Sequence, residues 1–126
     1  MRALLDTNII IELWENHPQL TKNLTVFMPA GFIISAVTAA ELLIGALNKA
    51  DLQKIRQELQ LLEVLPLEPA VGELANKLLA TYVLSHRLQL ADALIAATAL
   101  HYHLPLYTLN RKDFRYLAVL QLHEPA

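Results

Sequence analysis

The feature that most constrains this chain is an alternation of short apolar runs with stretches of helical period. Arg2-Ala3-Leu4-Leu5 forms a first short strand, and residues 7–15 a helix that turns Ile9, Ile10, Leu13 and Trp14 inward. A second short helix over residues 17–27 carries Leu20, Leu24 and Phe27, and Pro29 and Gly31 mark the loop after it. Phe32-Ile33-Ile34-Ser35 reads as a β-branched second strand. Residues 38–47 are helical and apolar nearly all round, whereas residues 51–62 are amphipathic, with Leu52, Ile55, Leu59 and Leu62 on one face. Val64-Leu65-Pro66-Leu67 is a third strand, placed at an edge because proline has no N–H for the ladder. Residues 69–85 hold the clearest 3.6-residue period, and residues 91–103 form a helix apolar enough to belong in the interior. Leu106-Tyr107-Thr108 and Val119-Leu120-Gln121-Leu122 supply a fourth and a fifth strand. Such alternation gives parallel strands joined by right-handed helical crossovers. The expected class is α/β, a three-layer α/β/α sandwich around a parallel five-stranded sheet, with residues 1–126 as a single domain. Ligands in such sheets sit beyond the carboxyl ends of the strands, where the strand order reverses.

Composition narrows the function. Hydrophobic residues make up 55% of the 126 and charged residues 17%, with 28 Leu and 17 Ala against 3 Gly, which excludes a disordered or low-complexity chain. The net charge of −2 leaves no global basic field, so any nucleic-acid site must be local. The absence of cysteine excludes disulfide frameworks, thiolate zinc sites and Cys nucleophiles. No apolar run reaches the length of a membrane span, and Met1-Arg2-Ala3-Leu4-Leu5-Asp6 lacks the apolar core of a signal peptide. The expectation is a soluble cytoplasmic domain, some of whose apolar surface a partner covers.

Three of the four aspartates, Asp6, Asp92 and Asp113, stand in distinctive contexts, and Glu41 joins them. Asp6 follows the first strand. Glu41 lies in the first turn of the helix after the second strand. Asp92 opens the apolar helix before the fourth strand, and Asp113 lies in the loop after that strand. In a parallel sheet all four fall on the carboxyl-end side. Each has a plain structural account: Asp6 as a helix N-cap, Thr38-Ala-Ala-Glu41 as a capping box, Asp92 as a complement to a helix dipole, and Asn110-Arg-Lys-Asp113 as a cap. Two points favour a site instead. A lone charge within Leu90-Ala91-Asp92-Ala93-Leu94-Ile95 is costly to bury, and four converging carboxylates repel unless a cation sits among them. Oxygen ligands suit a hard divalent ion such as Mg²⁺. Arg111, Lys112 and Arg115 flank Asp113 and are candidates to hold a nucleic-acid backbone, or a short basic stretch of solvated loop.

Leu4-Leu5-Asp6-Thr7-Asn8-Ile9, Ser35-Ala36-Val37-Thr38-Ala39-Ala40-Glu41-Leu42, Ala91-Asp92-Ala93-Leu94-Ile95-Ala96-Ala97 and Thr108-Leu109-Asn110-Arg111-Lys112-Asp113-Phe114 together resemble the PIN domain family, and more narrowly the VapC-type ribonuclease toxins of toxin–antitoxin pairs. The resemblance runs over essentially the whole chain with its motifs in order. It implies a sheet ordered 3-2-1-4-5, reversing between the first and fourth strands. It implies a Mg²⁺- or Mn²⁺-dependent endoribonuclease that hydrolyses RNA phosphodiester bonds. By position, Asp6, Glu41, Asp92 and Asp113 match the family's acidic quartet, and Thr7, Asn8, Thr108 and Asn110 its polar supporting residues. The resemblance further implies that Asp6, Asp92 and Asp113 ligate the metal, with Glu41 bound through water or orienting the attacking water. It implies a homodimer silenced by a cognate antitoxin protein, which covers the acidic site and an apolar groove. Ile11, Leu13, Trp14, Leu20, Leu24 and the exposed face of residues 51–62 are groove candidates, each equally explained by core packing.

The five histidines show no metal-ligand spacing: His101, His103, His17 and His123 read as solvated, and His86 as a loop residue before Asp92. A phosphorylation-receiver domain needs an acceptor Asp after the third strand, where the chain has Leu67-Glu68-Pro69. A haloacid-dehalogenase phosphatase needs a second Asp at the position of Asn8. The stronger alternative is a PIN fold that only binds, sequestering RNA or an antitoxin.

Overall fold

The computed structural model describes residues 1–28 and 30–125. Its elements run β1 (Leu4–Leu5), α1 (Thr7–Trp14), α2 (Pro18–Leu24), β2 (Ile33–Ser35), α3 (Ala36–Ile44), α4 (Lys49–Leu59), β3 (Glu63–Leu65), α5 (Pro69–His86), α6 (Leu90–His101) and β4 (Leu106–Tyr107), with 3-10 turns at Thr25–Phe27 and Arg111–Asp113. The strands pair in parallel in the order β3-β2-β1-β4. Because successive strand side chains point to opposite faces, Leu4, Ile33 and Leu106 enter one core with α5 and α6. Leu5, Ile34 and Tyr107 enter the other, with α1, α2 and residues of α3 and α4. The expected α/β/α sandwich is therefore present, and β1, β2 and β4 can be very short because both of their faces are buried.

The fifth strand is reduced to one bridge. Leu122 pairs in parallel with Leu106, through Leu106 N–H to Gln121 O and His123 N–H to Leu106 O, both 2.8 Å. This places the segment on the outer side of β4, where the 3-2-1-4-5 order puts its last strand. Residues 119–121 are not extended, because Leu117 and Leu120 enter the core at turn-like spacing while Val119 is 73% exposed. The third strand sits at the edge, as expected, but starts one residue earlier, at Glu63, and ends at Leu65, before Pro66, which has no N–H for a ladder. Pro29 lies outside the described residues; Gly31 has φ +91, a turn conformation that suits glycine. α6 buries Ala93, Ala96, Ala97 and Ala99, whose small side chains let it pack closely against α5.

α3 starts at Ala36, two residues before the expected boundary. Ser35, not Thr38, is its N-cap, with Oγ accepting from Thr38 N–H at 3.0 Å. The capping-box reading of Thr38 and Glu41 is thereby overturned. Glu41 lies in the second turn, where its carboxylate reaches Thr7 at the start of α1.

Candidate active site

The reversal of strand order between β1 and β4 builds the site. Asp6 N–H donates to Tyr107 O at 2.9 Å, which brings Asp6 beside Thr108 just past both strand ends. Asp6 is also the N-cap of α1, so its structural and chemical readings hold together. Asp6 is 5% exposed, and its carboxylate accepts from Thr7 N–H at 2.8 Å and from the Thr108 hydroxyl at 2.6 Å. Thr108 Oγ1 in turn accepts from Asn110 N–H at 3.0 Å. Asn8 holds the same loop, its Oδ1 accepting from Leu109 N–H at 3.2 Å. Thr7 donates to Glu41 Oε1 at 2.7 Å, and its hydroxyl oxygen lies 3.0 Å from that of the buried Thr38. Of the four expected supporting residues, Thr7, Asn8 and Thr108 use their side chains, whereas Asn110 meets Thr108 through its backbone. Ser35 and Thr38 belong to the same network. Only Ser35's place at a strand end, with the helix following, hints at that in the sequence.

Electrostatics tie the four carboxylates together. Burial raises the pKa of Asp6; the Thr108 hydroxyl and Thr7 N–H counteract it, and the charges of Glu41 and Asp113 add to the rise. Asp92, half-buried at the third position of α6, is pushed up to about 6, by burial first and then by Asp6, Asp113 and Glu41. Its carboxylate makes no hydrogen bond among the described residues. Four acids, from the N-cap of α1, from α3, from α6 and from the turn after β4, thus share one field. Oxygen donors that destabilise one another when ionised fit a hard divalent cation, and Asp6, Asp92 and Asp113 are the residues that could hold it.

A tighter set lies elsewhere. Among the described residues, only Glu12, Glu15 and His17 bring three potential ligand atoms all within 4.8 Å of one another. We read that group as an ion-paired helix end, since His17 Nε2 lies 2.6 Å from Glu12 and 3.3 Å from Glu15 at the surface. The looser quartet suits an ion that keeps several waters and takes one or two carboxylates directly.

The basic candidates divide. Arg111 donates to His123 O at 3.2 Å and to Glu124 at 2.8 Å, so it pins the C-terminal segment, and it borders a cleft with Thr108 and Leu109, separate from the cavity of Asp92 and Asp113. Lys112 and Arg115 line a cavity of about 430 Å³ that also contains Asp92 and Asp113. Arg87, His86 and Tyr116 line it too, and the pKa of Tyr116 is raised by burial and then by Asp92 and Asp113. His86 ends α5 and is not a loop residue. His123 is not solvated: its ring packs 5.0 Å from Phe27 and 4.9 Å from Tyr107, and burial lowers its pKa. Leu24 is a core residue, whereas Leu20, though mostly buried, borders a cleft with His17, Leu109 and Arg111. Ile11 is exposed, and Leu13 and Trp14 border shallow clefts beside α4.

The family model for the PIN domain matches residues 3–120. The chain belongs to the PIN domain family. A comparison with curated proteins found no match. Among solved structures, this PIN domain is similar to a chain of a toxin–antitoxin complex from Klebsiella pneumoniae, at 29% identity and TM-score 0.79, over 98% of this chain and 99% of that one. It is similar to a chain of VapBC-1 from nontypeable Haemophilus influenzae, at 27% identity and TM-score 0.81, over 98% of each. It is also similar to a chain of FitAcB from Neisseria gonorrhoeae, at 27% identity and TM-score 0.77, over 98% of this chain and 97% of that one. No helix among the described residues is long and apolar enough to cross a membrane.

Proposed function

We propose that this PIN domain is an endoribonuclease that uses Mg²⁺ or Mn²⁺ at Asp6, Glu41, Asp92 and Asp113, and that it is the toxin of a toxin–antitoxin pair. The observation that carries the reading is the shared field of four carboxylates from four separate elements at the one reversal of strand order. No packing requirement explains four acids there. A divalent cation supplies phosphoryl polarisation and a lowered water pKa. The chain's own residues do the rest. Asp6, Asp92 and Asp113 hold the ion. Thr108 and Thr7 N–H fix the two oxygens of Asp6, so its orientation is set before binding. Thr7 fixes Glu41, which orients the attacking water. Lys112 and Arg115 hold backbone phosphates on the Asp113 side. The antitoxin partner is inferred from the toxin–antitoxin assemblies that contain the similar chains, and a homodimer rests on the family resemblance alone.

The test is cleavage of a structured-RNA pool with Mn²⁺, with EDTA, and by Asp6→Asn and Asp92→Asn. Cutting that needs metal and is lost in both folded variants supports the reading. Metal-independent cutting, or full activity in either variant, overturns it.

A further inference from the structure

One wall of the cavity beside Asp92 and Asp113 is aromatic. His86 and Tyr116 stack with ring centroids 4.0 Å apart and planes 8° off parallel. Tyr82 meets Tyr116 edge-on at 5.2 Å and His86 at 5.9 Å, and Ser85 Oγ lies 2.8 Å from His86 Nδ1. His86 is nevertheless exposed, so the stack is ordered while one ring still faces solvent. Beside it Arg87 caps α5 in the left-handed conformation, φ 53 and ψ 41, where glycine is the relaxed residue. A guanidinium stands there at a cost in backbone strain. Arg87, Lys112 and Arg115 form no ion pair among the described residues, and they outnumber Asp92 and Asp113 in the same cavity by three charges to two. Three cations thus flank the acidic quartet at this mouth, on a chain of net charge −2.

We propose that His86, Arg87 and Tyr116, with Lys112 and Arg115, form the subsite for one unpaired nucleotide of single-stranded RNA next to the scissile bond. The base continues the His86–Tyr116 stack, and the flanking phosphates meet the three cations. Stacking on a fixed aromatic pair selects an unstacked base and tolerates any base identity. Because the rings are already ordered, binding loses little side-chain entropy there. The cavity, about 430 Å³, is within the range of small-ligand sites and opens directly onto the acids. This inference rests on the RNA reading above and assigns that site its substrate-holding side.

The test is fluorescence anisotropy of a fluorescein-labelled ten-nucleotide single-stranded RNA, with Ca²⁺ in place of Mn²⁺ so that the RNA stays intact. The variants are Arg87→Gly and His86→Leu. Arg87→Gly weakens binding about tenfold at low salt and lowers the slope of log affinity against log salt by about one. Its unfolding midpoint is unchanged or higher, because glycine relaxes the cap. A merely structural role for Arg87 would leave the salt slope alone. His86→Leu weakens binding about tenfold with little change in salt slope. In cleavage, both raise KM by more than they lower kcat. Wild-type affinity in both variants overturns the subsite even if the wild type cleaves RNA. Loss of binding in the variants with no cleavage by the wild type keeps the subsite and overturns the nuclease reading. No RNA binding by the wild type overturns both.

Discussion

Replacing Asp92 by Asn should make the metal-free protein more stable. The rise from 3.8 to about 6 corresponds, at about 1.36 kcal/mol per pH unit, to at most about 3 kcal/mol. Asp92 is only half-buried, and screening reduces this to roughly 1–2 kcal/mol. The dipole of α6 favours the charged form by some tenths of a kcal/mol and trims the gain further. The sign follows from linkage. Between pH 3.8 and about 6 the folded state binds more protons at this site than the unfolded state. Wild-type stability therefore falls as pH rises through that window, and the loss is complete above it. Asn carries no charge and avoids the loss. In EDTA at pH 7.5, D92N should melt roughly 3–8 °C above wild type for a domain of this size. At pH 4 the two should nearly coincide. Thermal unfolding followed by circular dichroism at four or five pH values reads the difference directly. A variant no more stable than wild type at pH 7.5, or a gain that does not depend on pH, refutes the claim that Asp92 is held in a repulsive field.

Mn²⁺ at a hundred times its dissociation constant should stabilise the wild type by about 2.7 kcal/mol at neutral pH, and D92N by far less, as melting with and without EDTA will show. Thr108→Val removes the donor to Asp6 and the acceptor for Asn110 N–H, and should cost about 1–3 kcal/mol in urea unfolding. Ile33→Ala, at a fully buried position of β2, should cost about 2–5 kcal/mol with an unchanged denaturant slope. Arg111→Ala should leave RNA affinity and its salt dependence at wild-type values, whereas Lys112→Ala should lower the salt slope, because Lys112, unlike Arg111, lines the cavity of Asp92 and Asp113.

The layered fold was legible because its signals are local. Strand ends, helical periods and an edge-marking proline are all written within a few residues of themselves. The quartet followed from the same logic: Asp6, Glu41, Asp92 and Asp113 each stand at a fixed offset from a strand or helix end, and parallel strands carry those offsets to one side. What the sequence hid depends on side-chain direction. Arg111, Lys112 and Arg115 look equivalent in a run, yet a 3-10 turn sends Arg111 to Glu124 and leaves the other two on the acidic side. Val119-Leu120-Gln121-Leu122 alternates like a strand, but Leu117 and Leu120 claim the core and leave only Leu122 to bridge. His86 and Tyr116 stack across thirty positions of sequence, and no periodicity marks such a pair. His123 is drawn inward by Phe27 and Tyr107, two partners far from it in the chain.

The most direct test of the account is a Mn²⁺ titration followed by electron paramagnetic resonance on the wild type, Asp6→Asn, Asp92→Asn and a Glu12→Gln/His17→Gln double variant. The account predicts saturable binding by the wild type, its loss in both Asp variants, and wild-type binding in the double variant. Binding that survives both Asp substitutions, or that disappears only with Glu12 and His17, would place the ion at the α1 terminus and contradict the acidic quartet as the metal site.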